Sequence, residues 1–491
     1  MSEGGVPIAA NEVRNDQPRF NPVGLMFFGM TATVLLMMCF VWENLGNPWG
    51  PLPSALAAWV LFIIHIVLIR SRLSAMDPLV WIPVFMLLFY FGTPIAVDLM
   101  GFSEYGEAFG PVPKLTIGFV INLMSFAAFF FGVHLSGIAD CSRPTTYFPE
   151  VTRSLIPAAL AMGVVGYVML LIGVAIAGPG ILFGSYVDLR MAEASGKVTT
   201  SWYNVGTILV PATCMALLAS YDKSKGWIPP FVMAAMAPVL LLLVATGDRG
   251  GLAAQIMALG WVFTQRLRRV SATVATVGFV LALILMPMLK EYRNYRDVQD
   301  SSQLSSYELI AATFYEMGSS GLIFAWTVDA VPRTRPYDYG ASIALPVVYL
   351  VPWVGRAVPG LGEYALDHNQ NYWISEFIDP ASYAVKGASH GFTMTGVWYS
   401  NFGIAGVYIF GAGIGWAAGR LRNMGRENSI RILASGLSVV FMALVIRNSL
   451  GTPLRYVVWP FGMILICYLL TPRKVKRTEI VGNEMLPRST I

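Results

Sequence analysis

Four groups of side chains in this chain have the types and spacing to do chemistry. Thr246-Gly247-Asp248-Arg249-Gly250-Gly251 closes one apolar run and opens the next. Its glycines allow a tight turn, and a guanidinium held there can grip a phosphate with two parallel hydrogen bonds. The competing reading is a plain turn whose arginine pairs with lipid phosphate. Further arginines stand at the ends of other apolar runs: Arg190, Arg293 and Arg296, then Arg447 and Arg455. A shared anionic ligand is one reason for such a set, and isolated arginines reaching for the membrane surface are the other. His390, in Ala388-Ser389-His390-Gly391-Phe392, precedes a late apolar run. An imidazole that titrates near neutrality suits proton abstraction from a hydroxyl, although a lone loop histidine is more often only solvated. The fourth group is the acids Glu316, Glu363, Asp367, Glu376 and Asp379, which share the 290–392 segment with His368, His390 and several arginines.

The elements that position these groups follow from composition. Hydrophobic residues make up 56% of the 491 residues and charged residues only 12%, which marks an all-α polytopic membrane protein. A span needs roughly 20 mostly apolar residues. That rule predicts twelve: 23–42, 54–69, 78–99, 115–136, 155–178, 203–221, 227–247, 251–265, 270–289, 393–419, 430–449 and 456–472, the eighth being short. The organisation expected is a tail over 1–22, spans one to nine over 23–289, a long loop over 290–392, spans ten to twelve over 393–472, and a tail over 473–491.

Sidedness follows from the basic residues. With the N-terminus inside, the inner connections collect most of them, among them Arg70, Arg72, Arg143, Arg153, Arg266, Arg420, Arg422 and Arg431. That imbalance puts both termini in the cytoplasm and the 290–392 loop on the opposite, periplasmic face. Within the loop, 307–331 has a helical pattern interrupted by Glu316 and Asp329, and is expected in the interface or dipping into a cavity. The piece 341–353, broken by Pro346 and Pro352, is too short to span. His65 and His134 fall in or near spans toward the cytoplasmic half and read as structural.

Other classes are disfavoured. The net charge of +5 lies between spans, so nucleic-acid binding is not indicated. The four cysteines suggest neither a disulfide framework nor a CxxC site. No paired-aspartate metal motif, GxxxxGK[ST] loop or HExxH is present, so neither a metal nor a cofactor is expected. Spans nearly free of mid-depth charge weaken an ion-coupled transporter.

Asp77-Pro78, Thr246 to Gly250, Tyr292-Arg293, Tyr339 to Ser342 and Trp398 to Gly406 together resemble stretches of the Wzy-type O-antigen and exopolysaccharide repeat-unit polymerases. Asp77-Pro78 leads into an apolar run that ends Phe91-Gly92-Thr93-Pro94, and Thr246 to Gly250 resembles the family's small-residue and Arg-Gly turn. Tyr292-Arg293 is similar to its post-helix arginine, and Tyr339-Gly340-Ala341-Ser342 with the Pro346 to Pro352 piece to its outer loop. The clearest likeness is Trp398-Tyr399-Ser400-Asn401-Phe402-Gly403-Ile404-Ala405-Gly406, which opens a late span. Many members carry a glutamate two residues before that tyrosine. Here the position is Val397, so a carboxylate role there does not carry over and the weight shifts to His390 or Glu376.

The resemblance implies a metal-independent glycosyltransferase of GT-C-like, multi-span architecture in the bacterial inner membrane. It would join undecaprenyl-pyrophosphate-linked oligosaccharide repeats at the periplasmic face, with membrane lipid around it and a flippase and chain-length regulator as further partners. On this reading Arg249, Arg293, Arg190, Arg296 and Arg455 hold the pyrophosphate. His390, Arg249 and Glu376 are the catalytic candidates, and Tyr399, Asn401 and Tyr339 contact acceptor sugar. An O-antigen ligase acting on the same carrier and a flippase or permease without chemistry are the alternatives.

Overall fold

The computed structural model describes residues 51–102, 114–138, 155–178, 201–221, 225–246, 249–267, 270–278, 306–351, 354–380, 392–424, 428–448 and 450–470, together with 22, 26, 29 and 281. Every regular element among them is helical: α1 (Leu52–Ile69), α2 (Pro78–Pro94), α3 (Leu115–Leu135), α4 (Ile156–Ala177), α5 (Ser201–Ala219), α6 (Ile228–Thr246) and α7 (Arg249–Arg266) come first. Then follow α8 (Ser306–Ala330), α9 (Ala341–Val348), α10 (Val354–Ala357), α11 (Leu361–Asp367), α12 (Gln370–Ile378), α13 (Met394–Met424), α14 (Ser429–Val445) and α15 (Gly451–Leu470).

Seven helices among the described residues are long and apolar enough to cross a membrane: α1, α2 with its extension to Leu99, α3, α4, α5, α13 and α15. They answer seven of the twelve expected spans. The seventh and eleventh fall on the shorter apolar stretches Ile228–Val244 and Ser429–Val445, and the eighth on α7. Nearly all of the first span and half of the ninth lie outside the described residues.

One end of the bundle is tied by a buried ion pair. Asp77 caps α2 by accepting from Leu79 N at 3.0 Å, with Pro78 preset for the first helical turn. The same carboxylate takes Arg422 Nη2 at 2.7 Å and Nε at 2.9 Å, and both side chains are wholly buried. His65 and His134 are also fully buried, their Nδ1 and Nε2 3.4 Å apart, with His65 stacked on Phe130.

Small residues let helices approach where no hydrophobic driving force separates protein from lipid. Gly415 on α13 sits against Phe129 O of α3, and Gly132 of α3 against Ala412 O, so a methyl group at either would collide with backbone. Gly92 and Gly318 meet in the same way and fasten α8 to α2. Ala325 lies over Gly118 on α3. The expectation for 307–331 left two placements, the interface or a cavity; α8 packs among the bundle helices along much of its length, and its acids do not hold it outside.

α13 is not one straight helix. Gly403, at φ 65° and ψ −154°, breaks it into arms 394–402 and 404–424. Trp398 stacks on Phe410 with ring centroids 4.6 Å apart. Twelve residues of straight helix would hold them about 18 Å apart, so the arms fold against each other. Thr395 Oγ1 comes within 3.4 Å of Ser125 Oγ, beside which Gly411 of the other arm also packs.

Candidate functional site

An elongated cavity of ≈ 370 Å³ runs beside α2, α7, α8, α14 and the helical residues 272–278. α2 gives it Trp81, Phe85, Leu88 and Phe89, spaced to share one helical face. α7 gives Gly250, Ala253, Met257 and Gly260, where small residues leave the room. Met76 and Gly260 mark the end near Asp77, and the methyl of Met76 lies against Gly260. The other end carries the polar lining: Thr313 and Glu316 from α8, and Arg447 and Asn448 just past α14. Arg447 places its guanidinium over the Phe89 ring, 5.3 Å from the centroid. The arrangement is an apolar slot with charge at one mouth, the shape and chemistry of a site for a long hydrocarbon with a polar head.

Arg249 is the first residue of α7, and its neighbour Gly250 lines this cavity. The helix therefore presents its positive N-terminal dipole at the polar mouth. Nothing beyond the backbone of Arg249 is described, and Arg190, Arg293, Arg296 and His390 lie outside the described residues.

Arg455 is placed apart from the cavity lining. Its guanidinium lies over Trp459, 5.7 Å from the ring centroid, and Trp459 Nε1 donates to Leu350 O at 3.1 Å. Glu376 is exposed on α12. Tyr399 is buried, with its hydroxyl donating to Val331 O at 3.4 Å and its ring edge-on to Phe324. Asn401 is fully buried: Oδ1 accepts from Gly340 N, and Nδ2 donates to Ser342 Oγ and Val397 O, all at 2.6 Å. Asn401 thus spends its amide inside the protein, fixing the loop that carries Tyr339. Tyr339 is 78% exposed and stands edge-on to Tyr337.

The structure also pairs residues that the sequence keeps apart. His368 Nδ1 lies 3.0 Å from Asp338 Oδ1, and Arg335 Nη2 lies 3.6 Å from the same oxygen. Arg335 also donates to Asp367 O and covers Trp373 at 5.0 Å. Asp338 itself is anchored through its backbone N–H to Ser400 O at 2.9 Å. Gln370 reinforces the junction by donating to Ser342 Oγ, Ser400 Oγ and Val397 O. Sequence reasoning assigned no role to this Asp338–His368 pair; thirty residues separate the partners and no spacing rule links them. Arg447 was visible as one arginine of a set, but Glu316 opposite it was not connected to it. Among the described residues no group of three or more His, Cys, Asp or Glu is placed to hold a metal.

No curated protein and no solved structure matches the chain at a level that adds to this. Residues 26–477, nearly the whole chain, match the family model for O-antigen polysaccharide polymerase Wzy, and the chain belongs to that family of membrane polymerases of lipid-linked oligosaccharide.

Proposed function

We propose that this protein joins undecaprenyl-pyrophosphate-linked oligosaccharide repeats into O-antigen or exopolysaccharide at the periplasmic face of the bacterial inner membrane, on a GT-C-like frame of about twelve spans. The observation that carries the reading is the apolar cavity closed at one mouth by Arg447, Asn448 and Glu316. The polyprenyl chain lies along α2 and α7, and the pyrophosphate meets Arg447 and the start of α7. Orientation supports this: Arg266 and Arg422 stand at the opposite ends of α7 and α13, with Arg70 beside α1 at that same end. A basic end of that kind faces the cytoplasm and leaves the polar mouth periplasmic.

In the reaction, an acceptor hydroxyl attacks the anomeric carbon of the donor sugar. The new C–O bond forms as the bond to pyrophosphate breaks, and its electron pair leaves with the polyprenyl pyrophosphate. Arg447 and Arg249 oppose the charge that grows there, in a setting where a fixed guanidinium acts more strongly than in water. Arg293, Arg190, Arg296 and Arg455 remain proposed pyrophosphate ligands and His390 the proposed acceptor of the hydroxyl proton, with Glu376 as the other candidate. Asn401 and Tyr399 act from within, by positioning. A flippase supplies the substrate, and a chain-length regulator acts on the product.

The test is reconstitution of the purified protein with lipid-linked repeat extracted from a strain lacking it. Oligomers of the repeat and released polyprenyl pyrophosphate are expected. Repeats that cross the bilayer with their glycosidic bonds unchanged would replace this reading with a flippase. Transfer only to lipid A core would replace it with a ligase.

A further inference from the structure

The apolar slot between α2 and α7 has a definite length and a fixed floor. Its lining on α7 runs from Gly250 to Gly260, ten residues and about 15 Å along the helix axis. On α2 it runs from Trp81 to Phe89, about 12 Å. A cavity of ≈ 370 Å³ drawn out over about 15 Å is about 25 Å² in cross-section, room for one hydrocarbon chain at ordinary carbon–carbon contact distance. The floor is Met76, whose methyl lies against Gly260. The turn that carries Met76 is pinned on both sides. Trp81 Nε1 donates to Ala75 O at 2.8 Å and Asp77 N to Ser74 O at 3.1 Å, while the Asp77 carboxylate holds Leu79 N and Arg422. One wall of the slot is thin by comparison. Val270, Val274, Ala275 and Gly278 line it, yet Val274 is 63% exposed and its neighbours 271–273 and 276–278 are exposed too.

We infer that the slot gauges the lipid carrier. It seats the three or four isoprene units nearest the pyrophosphate, Met76 with Gly260 sets where they stop, and the units beyond turn out past residues 272–278 into the bilayer. An isoprene unit advances four carbon–carbon bonds of about 1.5 Å, or about 4–5 Å when stretched, so a slot of about 15 Å takes three or four of them. An undecaprenyl chain stretched at that rate is about 50 Å long, more than the ~30 Å hydrocarbon layer, and only its first part fits inside the slot. Lipid is as apolar as the slot, so burial alone gives the tail no reason to enter. What the slot adds is shape: close contacts along the seated units, which a unit that reaches Met76 no longer gains. The inference rests on the polymerase reading and makes Met76 and Gly260 determinants of carrier specificity.

The test uses the full-length protein in phospholipid vesicles. The repeat oligosaccharide, released from a strain lacking the protein, is coupled to pyrophosphate carriers of two, four, six and eleven isoprene units. KM for the wild-type protein should fall about tenfold between two and four units and then level off. Gly260→Leu raises the floor; the nearest atoms to a Cβ there all belong to the flexible Met76 side chain, and leucine favours the helix. It should raise KM for the four-unit carrier about tenfold more than for the two-unit carrier. Met76→Ala lowers the floor and should move the levelling-off outward, so that six units bind about threefold better than four. Partition into the vesicle depends on the carrier and not on the variant, so ratios to wild type isolate the slot. Opposite shifts in the two variants are beyond what lost stability produces, because an unstable protein loses activity on every carrier alike. A wild-type KM that keeps falling to eleven units, or variants that level off where the wild type does, would overturn the gauge alone. A wild-type protein that forms no oligomer from the eleven-unit carrier would overturn the polymerase reading beneath it.

Discussion

Two aspartate–arginine sites stand at opposite ends of the molecule, and they are built differently. Asp77 and Arg422 are both fully buried and share three hydrogen bonds of 2.7 to 2.9 Å. Asp338 is nearly as deep, but its arginine is 27% exposed and 3.6 Å away, a histidine shares the same oxygen, and the other oxygen has no partner among the described residues. The first site uses up its charges in holding α2 to α13. The second keeps hydrogen-bonding capacity in reserve beside exposed rings. Complete satisfaction of a buried polar group is a sign of scaffold, and incomplete satisfaction next to a surface is a sign of a ligand.

The largest test of that contrast removes one partner of the closed pair. Asp77→Ala or Arg422→Ala leaves an uncompensated buried charge and should lower stability by about 3–5 kcal/mol. Thermal unfolding in detergent and the level of protein in the membrane report it. Asp77→Leu with Arg422→Met should recover much of that loss; a double variant as unstable as the singles would show that the pair does more than balance charge. Next comes the charge at the cavity mouth. Arg447→Ala should reduce the rate of chain growth by about 100-fold with an unaltered unfolding midpoint. Unchanged polymer would move the pyrophosphate away from this mouth.

A smaller effect is expected at the bend of α13. Gly403→Ala forces a Cβ into the left-handed region with the Tyr337 hydroxyl 3.2 Å away, and should cost about 1–2 kcal/mol. Smallest is Asp338→Asn, which keeps the shape of the open site and changes stability by about 1 kcal/mol or less, since its partners reach solvent. A loss as large as that for Asp77→Ala would erase the distinction between the two ends.

Much of the frame was legible from composition and run length, because a helix that crosses lipid must be apolar over a fixed distance whatever packs beside it. The Asp77-Pro78 start of α2 was visible too, since capping chemistry is local. What was hidden depends on contacts between distant segments. α8 carries Glu316 and Asp329, and those interruptions left the interface and a cavity both open; its Gly318 and Ala325, which seat it against Gly92 and Gly118, give no periodic signal of their own. Gly403 is one of several glycines in α13, and its sequence neighbourhood does not distinguish it from Gly411 or Gly415, which are helical. The Asp338–His368 pair depends on how the turn after α8 meets α11. Asn401 drew notice as a sugar contact because of its type and place; the structure gives all of its described bonds to the protein.

The break at Gly403 also bears on bilayer thickness. Thirty-one helical residues in one rod would be about 46 Å long, half again the ~30 Å hydrocarbon layer. Folding the first nine back leaves the 404–424 arm, about 31 Å, as the length that meets the lipid. A segment too long for one crossing is thereby brought down to the hydrocarbon thickness, and the surplus becomes a wedge inside the protein.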